Sequence, residues 1–148
     1  MYTLEEFDEA KSKVLKYIIY KKRTKMEVKQ KFSSVYDFNL LNDLIDELEQ
    51  NGYIDDINYI KRSINEFEAL NNLSIQEIKY KLLKKGIDIK DIEDYIYKHG
   101  EELEQYEINS AKNIIIKKRR VAEDIDIENF LYKKGYKRES IKEGFEEA

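Results

Sequence analysis

The sequence predicts an all-α chain, an elongated and curved array of three tandem three-helix repeats, with nine helices in all. Three observations predict it. The 148 residues contain no proline and only five glycines, too few for the tight turns that a sheet protein of this size needs. Lys, Glu, Leu and Ile dominate and 39% of residues are charged, as in helices with well-solvated outer faces. A unit of about fifty residues then recurs along the chain.

Taken in order, each helix has its own start, stop or apolar stripe. Thr3-x-x-Glu6 is a capping box ahead of a first helix carrying Phe7, Ala10, Val14 and Ile18 at helical spacing. Thr24-x-x-Glu27 opens a short second helix with Val28 and Phe32. Asp37 caps a third, over 37–51, with Leu41, Leu44, Ile45 and Leu48, and Gly52 suits its left-handed end. Asp55 or Asp56 caps a fourth with Ile57, Ile60, Ile64 and Phe67. Ser74-x-x-Glu77 opens a fifth with Ile78 and Leu82, ending at Gly86. Asp88 caps the sixth, over 88–98, with Ile89, Ile92 and Ile96, and Gly100 marks its end. The seventh carries Leu103, Tyr106 and Ile114. The eighth starts at Asp124, carries Ile127, Phe130 and Leu131, and ends at Gly135. The ninth carries Ile141 and Phe145, and its start near 137–139 has no good cap.

The nine helices group as three times three because the sequence repeats. Glu27-Val28-Lys29-Gln30-Lys31-Phe32 recurs as Glu77-Ile78-Lys79-Tyr80-Lys81-Leu82 and again as Asp126-Ile127-Glu128-Asn129-Phe130-Leu131. Leu83-Lys84-Lys85-Gly86-Ile87 recurs as Tyr132-Lys133-Lys134-Gly135-Tyr136. This places repeat 1 at 3–53, repeat 2 at 54–99 and repeat 3 at 100–148, with stacking expected to merge them around one continuous core. Ile78 and Leu82 are expected to point into repeat 2 with Ile60, Ile64 and Ile92.

Composition also excludes. Without cysteine there are no disulfides, thiolate metal sites or cysteine nucleophiles. No apolar run reaches the roughly 18 residues of a membrane span. The acidic start MYTLEEFDEA does not read as a secretion signal, so the expected location is the cytoplasm. A phosphate-cradling glycine loop, a His–carboxylate–nucleophile set and a His-Glu-x-x-His pattern are all missing. No catalytic residue or metal site is therefore expected.

The segment Gly52-Tyr53-Ile54-Asp55-Asp56-x-x-Tyr59 resembles the most recognisable motif of the bacterial RecX regulatory proteins. Arg23-Thr24-x-x-Glu27-Val28-x-x-Lys31-Phe32 is similar to that family's first-repeat motif, and Lys85-Gly86-Ile87 and Lys134-Gly135-Tyr136 resemble its later helix ends. The resemblance runs from about Ala10 to the end of the chain. It implies tandem three-helix repeats that bind the RecA recombinase filament on single-stranded DNA. It further implies inhibition of strand exchange, ATPase and coprotease activities, without a cofactor. One departure stands out. Where the family usually has basic and glycine residues between the first two helices of repeat 2, this chain has Glu66-Phe67-Glu68-Ala69-Leu70-Asn71-Asn72.

The candidate contact residues are cations. Lys21, Lys22, Arg23 and Lys25 lie between the first two helices of repeat 1, and Lys117, Lys118, Arg119 and Arg120 hold the matching place in repeat 3. Lys79, Lys81, Lys84 and Lys85, with Lys133 and Lys134, surround the ends of the second helices. They read either as a basic stripe facing DNA phosphates or an acidic filament surface, or as cations that complement helix ends. The net charge of −4, spread as −1, −1 and −2 over the repeats, limits any direct DNA affinity to a segregated face. A weak contact with single-stranded DNA, or one made through the filament, follows, with the chain a monomer. Asp55 and Asp56 read as caps, and His99 as a helix-end cation. Tyr53, Tyr59, Tyr95, Tyr106 and Tyr136 read as rims of the core. Tyr17, Tyr20 and Tyr80, beside cations, suit either packing or base stacking. Two further functions stay open, a stand-alone helical nucleic-acid binder and a helical interaction scaffold. The acidic or neutral third helices argue against a DNA-reading helix.

Overall fold

The computed structural model describes all residues 1–148 and consists of nine α-helices with no strand. They are α1 Leu4–Tyr20, α2 Lys25–Phe32, α3 Phe38–Gln50, α4 Asp56–Leu70, α5 Ile75–Lys84, α6 Ile89–Lys98, α7 Gly100–Lys118, α8 Asp124–Lys133 and α9 Arg138–Glu147. Each of α1–α3, α4–α6 and α7–α9 packs together as a triple, and α6 also packs on α7. The accessible surface of 9850 Å² exceeds the roughly 8000 Å² of a compact monomer of this mass, as an elongated array requires.

The starts of the helices are built as the residues dictate. Thr24 and Ser74 form complete capping boxes with Glu27 and Glu77. Thr3 accepts from the Glu6 N–H without the reciprocal bond. Asp37, Asp55 and Asp88 cap α3, α4 and α6. Two helix ends differ from expectation. Gly100 is the first residue of α7 and has no positive φ, because only His99 separates α6 from α7 and the chain turns straight into the next helix. The left-handed cap falls instead on Asn71 (φ 53°), whose N–H donates to the Phe67 carbonyl and closes α4. Asp124 is inside α8, with Glu123 at the N-cap, and the Asp124 carboxylate accepts from Arg119 rather than from the helix start.

The core is not continuous. Three separate apolar clusters form, one around Val14, Leu44 and Leu48, one around Ile60, Ile64, Ile78, Leu82 and Ile92, and one around Ile115, Ile127 and Leu131. Ile54 belongs to the first cluster, and Leu103 and Tyr106 of α7 to the second. Ile57, Ile89 and Phe130, expected on apolar stripes, face solvent.

Polar joints separate the clusters, and they repeat. The Thr24 hydroxyl accepts from the Glu27 N–H and donates to the Lys85 carbonyl at 2.7 Å. The Ser74 hydroxyl accepts from the Glu77 N–H and donates to the Lys134 carbonyl, also at 2.7 Å. Lys85 pairs with Glu27 at 3.9 Å and Lys134 with Glu77 at 3.2 Å. Gly86 (φ 83°) lies against Met26, and Gly135 (φ 94°) against Gln76, so close that an added Cβ would meet the Gln76 Cβ at 2.8 Å. The start of each second helix thus sits on the end of the next repeat's second helix, and one capping box serves both the helix and the joint.

Candidate functional site

The fourteen cations divide by what holds them. Five are in ion pairs: Lys25 with Glu49 at 3.5 Å, Lys79 with Glu93 at 3.3 Å, Lys85 with Glu27, Lys134 with Glu77, and Arg119 with Asp124. Lys85 and Lys134 are therefore parts of the joints just described. Lys81, Lys84 and Lys133 are exposed without a carboxylate partner, Lys84 lying 4.8 Å from the Tyr80 ring centroid.

At the end of α7, Lys117 and Arg120 are exposed, and Lys118 lies 3.9 Å over the Phe130 ring. Arg119 grips Asp124 with two hydrogen bonds, at 3.1 and 3.2 Å, which hold its guanidinium further toward the charged form. Ile116, Val121 and Ile125 stand exposed around this corner.

The matching corner of repeat 1 opens into a groove of 670 Å³ between the α1–α2 connection and α4. Lys21, Lys22 and Arg23 line one side, Arg62 of α4 the other, with Tyr20, Tyr53 and Tyr59 among them. Arg23 is stacked 4.1 Å over the Tyr17 ring and its Nε is buried without a partner. Asp55 and Glu66 also line the groove, but the Asp55 carboxylate is occupied in capping α4, accepting from the Asn58 N–H at 3.0 Å. Burial pushes the Tyr59 phenol above its ordinary value, with Glu27 and Glu66 adding to the effect, so it remains a donor.

The matching corner of repeat 2 has no such cluster. Glu66, Glu68, exposed Leu70 and Asn71 occupy it.

Several residues differ from the sequence reading. Tyr59 packs on the rim of the second cluster, as expected, and also lines the groove, whereas Tyr53, expected on the core rim, is exposed in the groove, and Tyr106 and Tyr136 lie inside the protein. Arg62 was not among the predicted cations, although its spacing of three from Tyr59 puts both on one helix face. Glu107, fully buried, accepts from the Ile75 N–H at 2.8 Å and the Lys137 N–H at 3.0 Å, supplying the cap that α9 lacks in its own sequence. His99 stacks on Tyr95 and its Nδ1 donates to the Tyr95 carbonyl. No group of three or more His, Asp or Glu side chains is placed to hold a metal ion, and no helix is long and apolar enough to cross a membrane.

No family model matches the chain. Curated relatives do. The regulatory protein RecX of Finegoldia magna is 32% identical over 141 residues, spanning 90% of this chain and 68% of that protein. The regulatory protein RecX of Staphylococcus carnosus is 31% identical over 136 residues, and there the chain spans 51% of the relative's length. Among solved structures, the crystal structure of RecX from Lactobacillus salivarius superposes with a TM-score of 0.82 at 21% identity, covering 98% of this chain and 97% of that one. A second crystal structure of a regulatory protein RecX gives 0.75 at 20% identity, covering 92% and 71%. These two likenesses establish the fold.

Proposed function

The chain belongs to the RecX family of regulatory proteins, and on that premise we propose that it binds the RecA recombinase filament on single-stranded DNA and inhibits it. Strand exchange, ATPase and coprotease activities fall together because the filament, and not one active site, is the target. The chain acts stoichiometrically, as a cytoplasmic monomer without a cofactor or a catalytic residue of its own. The observation that supports the reading most is the family's most recognisable motif. Its Gly52, Tyr53, Asp55 and Tyr59 line the groove beside Lys21, Lys22 and Arg23, so the motif and the unpaired cations share one surface. The repeat 3 corner supplies a second cationic surface, rimmed by exposed Ile116, Val121 and Ile125.

The test is a recombinase ATPase assay on single-stranded DNA with this chain titrated in. Inhibition is expected. The combined change Lys117→Gln, Lys118→Gln, Arg119→Gln and Arg120→Gln should leave the thermal midpoint nearly unchanged, since such surface groups contribute little to stability. It should raise the concentration needed for half-inhibition, most of all near physiological salt, where screening already erodes the attraction. A folded quadruple variant that inhibits at the wild-type concentration would move the contact off this corner. A wild-type chain that leaves the ATPase untouched would end the reading.

A further inference from the structure

We propose that repeat 1 moves as one rigid body against repeats 2 and 3, about a hinge at the Ile54–Asp55 link, and that Thr24, Lys25, Met26 and Glu27 form the latch that holds it closed. The inference goes beyond the filament reading and does not rest on it.

Four features carry it. First, the apolar clusters divide unequally. Leu103 and Tyr106 of α7 belong to the second cluster and α6 packs on α7, so repeats 2 and 3 share a core. The first cluster runs from Ala10 to Ile54 and takes no residue from α4–α6. Second, the polar contacts across the first boundary all come from one short stretch. The Thr24 hydroxyl donates to the Lys85 carbonyl, the Lys25 N–H donates to Asp56, and Glu27 pairs with Lys85. Met26, among them, lies against Gly86. Across the second boundary the contacts are spread out. Asn113 donates to the Asn71 carbonyl, Tyr106 and Ser110 to the Leu73 carbonyl, Ser74 to the Lys134 carbonyl, and the Ile75 N–H to Glu107. A body held at one place turns about it, and a body held along a line does not. Third, the covalent link has one free place. The Tyr53 and Ile54 N–H groups both donate to the Leu48 carbonyl, and Ile54 is buried in the first cluster, so the chain through Ile54 belongs to repeat 1. Asp55, extended at φ −152°, already caps α4. The two bodies meet at that single peptide link, beside the Lys25–Asp56 bond. The α6–α7 link is stiffer, because its one residue, His99, is stacked on Tyr95 and bonded to the Tyr95 carbonyl. Fourth, there is room to move. The 670 Å³ groove at the first boundary is joined there by a second of 550 Å³, lined by Lys25, Met26, Ile57 and Asp91 among others. Grooves flank the second boundary too, but Leu103 and Tyr106, which line them, also belong to the core between them. Surface polar contacts are individually weak, and a small polar interface between two bodies permits relative motion. Arg23 and Arg62 stand on opposite walls of the larger groove. The hinge therefore sets the groove's width and the curvature of the array, and any partner that bridges the walls selects one curvature.

The chain has no cysteine, so nitroxide labels go only where cysteines are introduced. Ser12→Cys with Asp94→Cys spans the first boundary, and Asp94→Cys with Lys142→Cys spans the second, all at exposed positions. Double electron–electron resonance on the full chain reads both distance distributions, with the label at 94 common to the two. The 12–94 distribution is expected to be about twice as wide as the 94–142 distribution, as a hinge with more than one angle requires. Thr24→Ala removes one latch hydrogen bond and should raise the ratio of displaced to latched molecules about fivefold, read as growth of the displaced component in the 12–94 distribution. The matching change Ser74→Ala should leave the 94–142 distribution as it is, because the shared core still holds that boundary. Circular dichroism confirms that both variants stay helical, and the comparison of the two label pairs without either change needs no variant at the latch. The proposal is overturned if those two distributions are equally wide. It is also overturned if folded Thr24→Ala leaves the 12–94 distribution unchanged, or if Ser74→Ala broadens the 94–142 distribution as much as Thr24→Ala broadens the other. Because no recombinase is present, a rigid array leaves the filament reading standing, and a failed ATPase inhibition leaves the hinge standing.

Discussion

The two joints between repeats are built to one pattern and finished differently. In both, a cap hydroxyl reaches the carbonyl at the end of the next repeat's second helix, and the capping-box glutamate pairs with that repeat's lysine. At the first joint, a half-buried carboxylate, Asp56, adds one bond to the Lys25 N–H at 2.9 Å. At the second, fully buried Glu107 takes two N–H groups, from Ile75 and Lys137. A closed polar set surrounds it: Tyr106 and Ser110 both donate to the Leu73 carbonyl, and Ser110 bonds the Tyr136 hydroxyl at 2.7 Å. Sequence repetition therefore fixes the shared pattern, and a few unrepeated residues set how firmly each joint is held. The second joint should unfold with its neighbours as a unit, and the first should yield earlier.

The largest effect is expected at Glu107. Removing its carboxylate in Glu107→Ala orphans two backbone donors, at about 1–3 kcal/mol each, for a total loss of about 2–6 kcal/mol in urea unfolding. A loss under about 1 kcal/mol would mean that water replaces the carboxylate and that the two joints are equivalent.

The next effect tests the shared pattern. Ser74→Ala removes a cap and the inter-repeat bond together, and should cost about 1–3 kcal/mol. Thr24→Ala removes the matching pair at the first joint. If the joints differ only in Asp56 and Glu107, the two losses match within a few tenths of a kcal/mol, roughly the error of additivity. A clearly larger loss at Ser74 would show that Tyr106, Ser110 and Tyr136 are energetically coupled to the cap.

Much of this was legible before the fold was known, because it is local. Thr24 with Glu27 and Ser74 with Glu77 announce helix starts, and Ile60, Ile64, Ile78, Leu82 and Ile92 fall in one cluster as their spacing requires. Helix ends were less legible. A left-handed cap depends on what the chain does next, so Gly100 was absorbed into α7 while Asn71 took the conformation. The joints are tertiary, and Glu107 reads as an ordinary charge in a charged chain. Its one signal is position: it lies between Leu103 and Ala111 on the stripe that is buried, where an unpaired carboxylate would be costly. The groove escaped notice for a related reason. Tyr53 and Arg62 are nine residues apart, and only the packing of α4 beside the α1–α2 connection brings them to the cations at 21–23.

The smallest effect, and the sharpest contrast with Glu107, is expected at Asp56. Burial pushes its carboxyl above the ordinary value, Glu49 and Asp91 add to the rise, and the Lys25 N–H and ammonium oppose it. The folded state therefore holds this proton more tightly than the unfolded state does. The group's contribution to stability is full below its unfolded pKa and is lost as pH rises through the higher folded value. Asp56→Asn keeps an oxygen for the Lys25 N–H and removes the titration. Relative to wild type, the variant should gain as pH rises through and above the ordinary carboxylate range, ending as stable or slightly more stable at neutral pH. Urea midpoints of both proteins across that range measure the difference directly. If Asp56→Asn instead loses stability at neutral pH by as much as Ser74→Ala, the first joint depends on its carboxylate as the second does on Glu107, and the contrast between them fails.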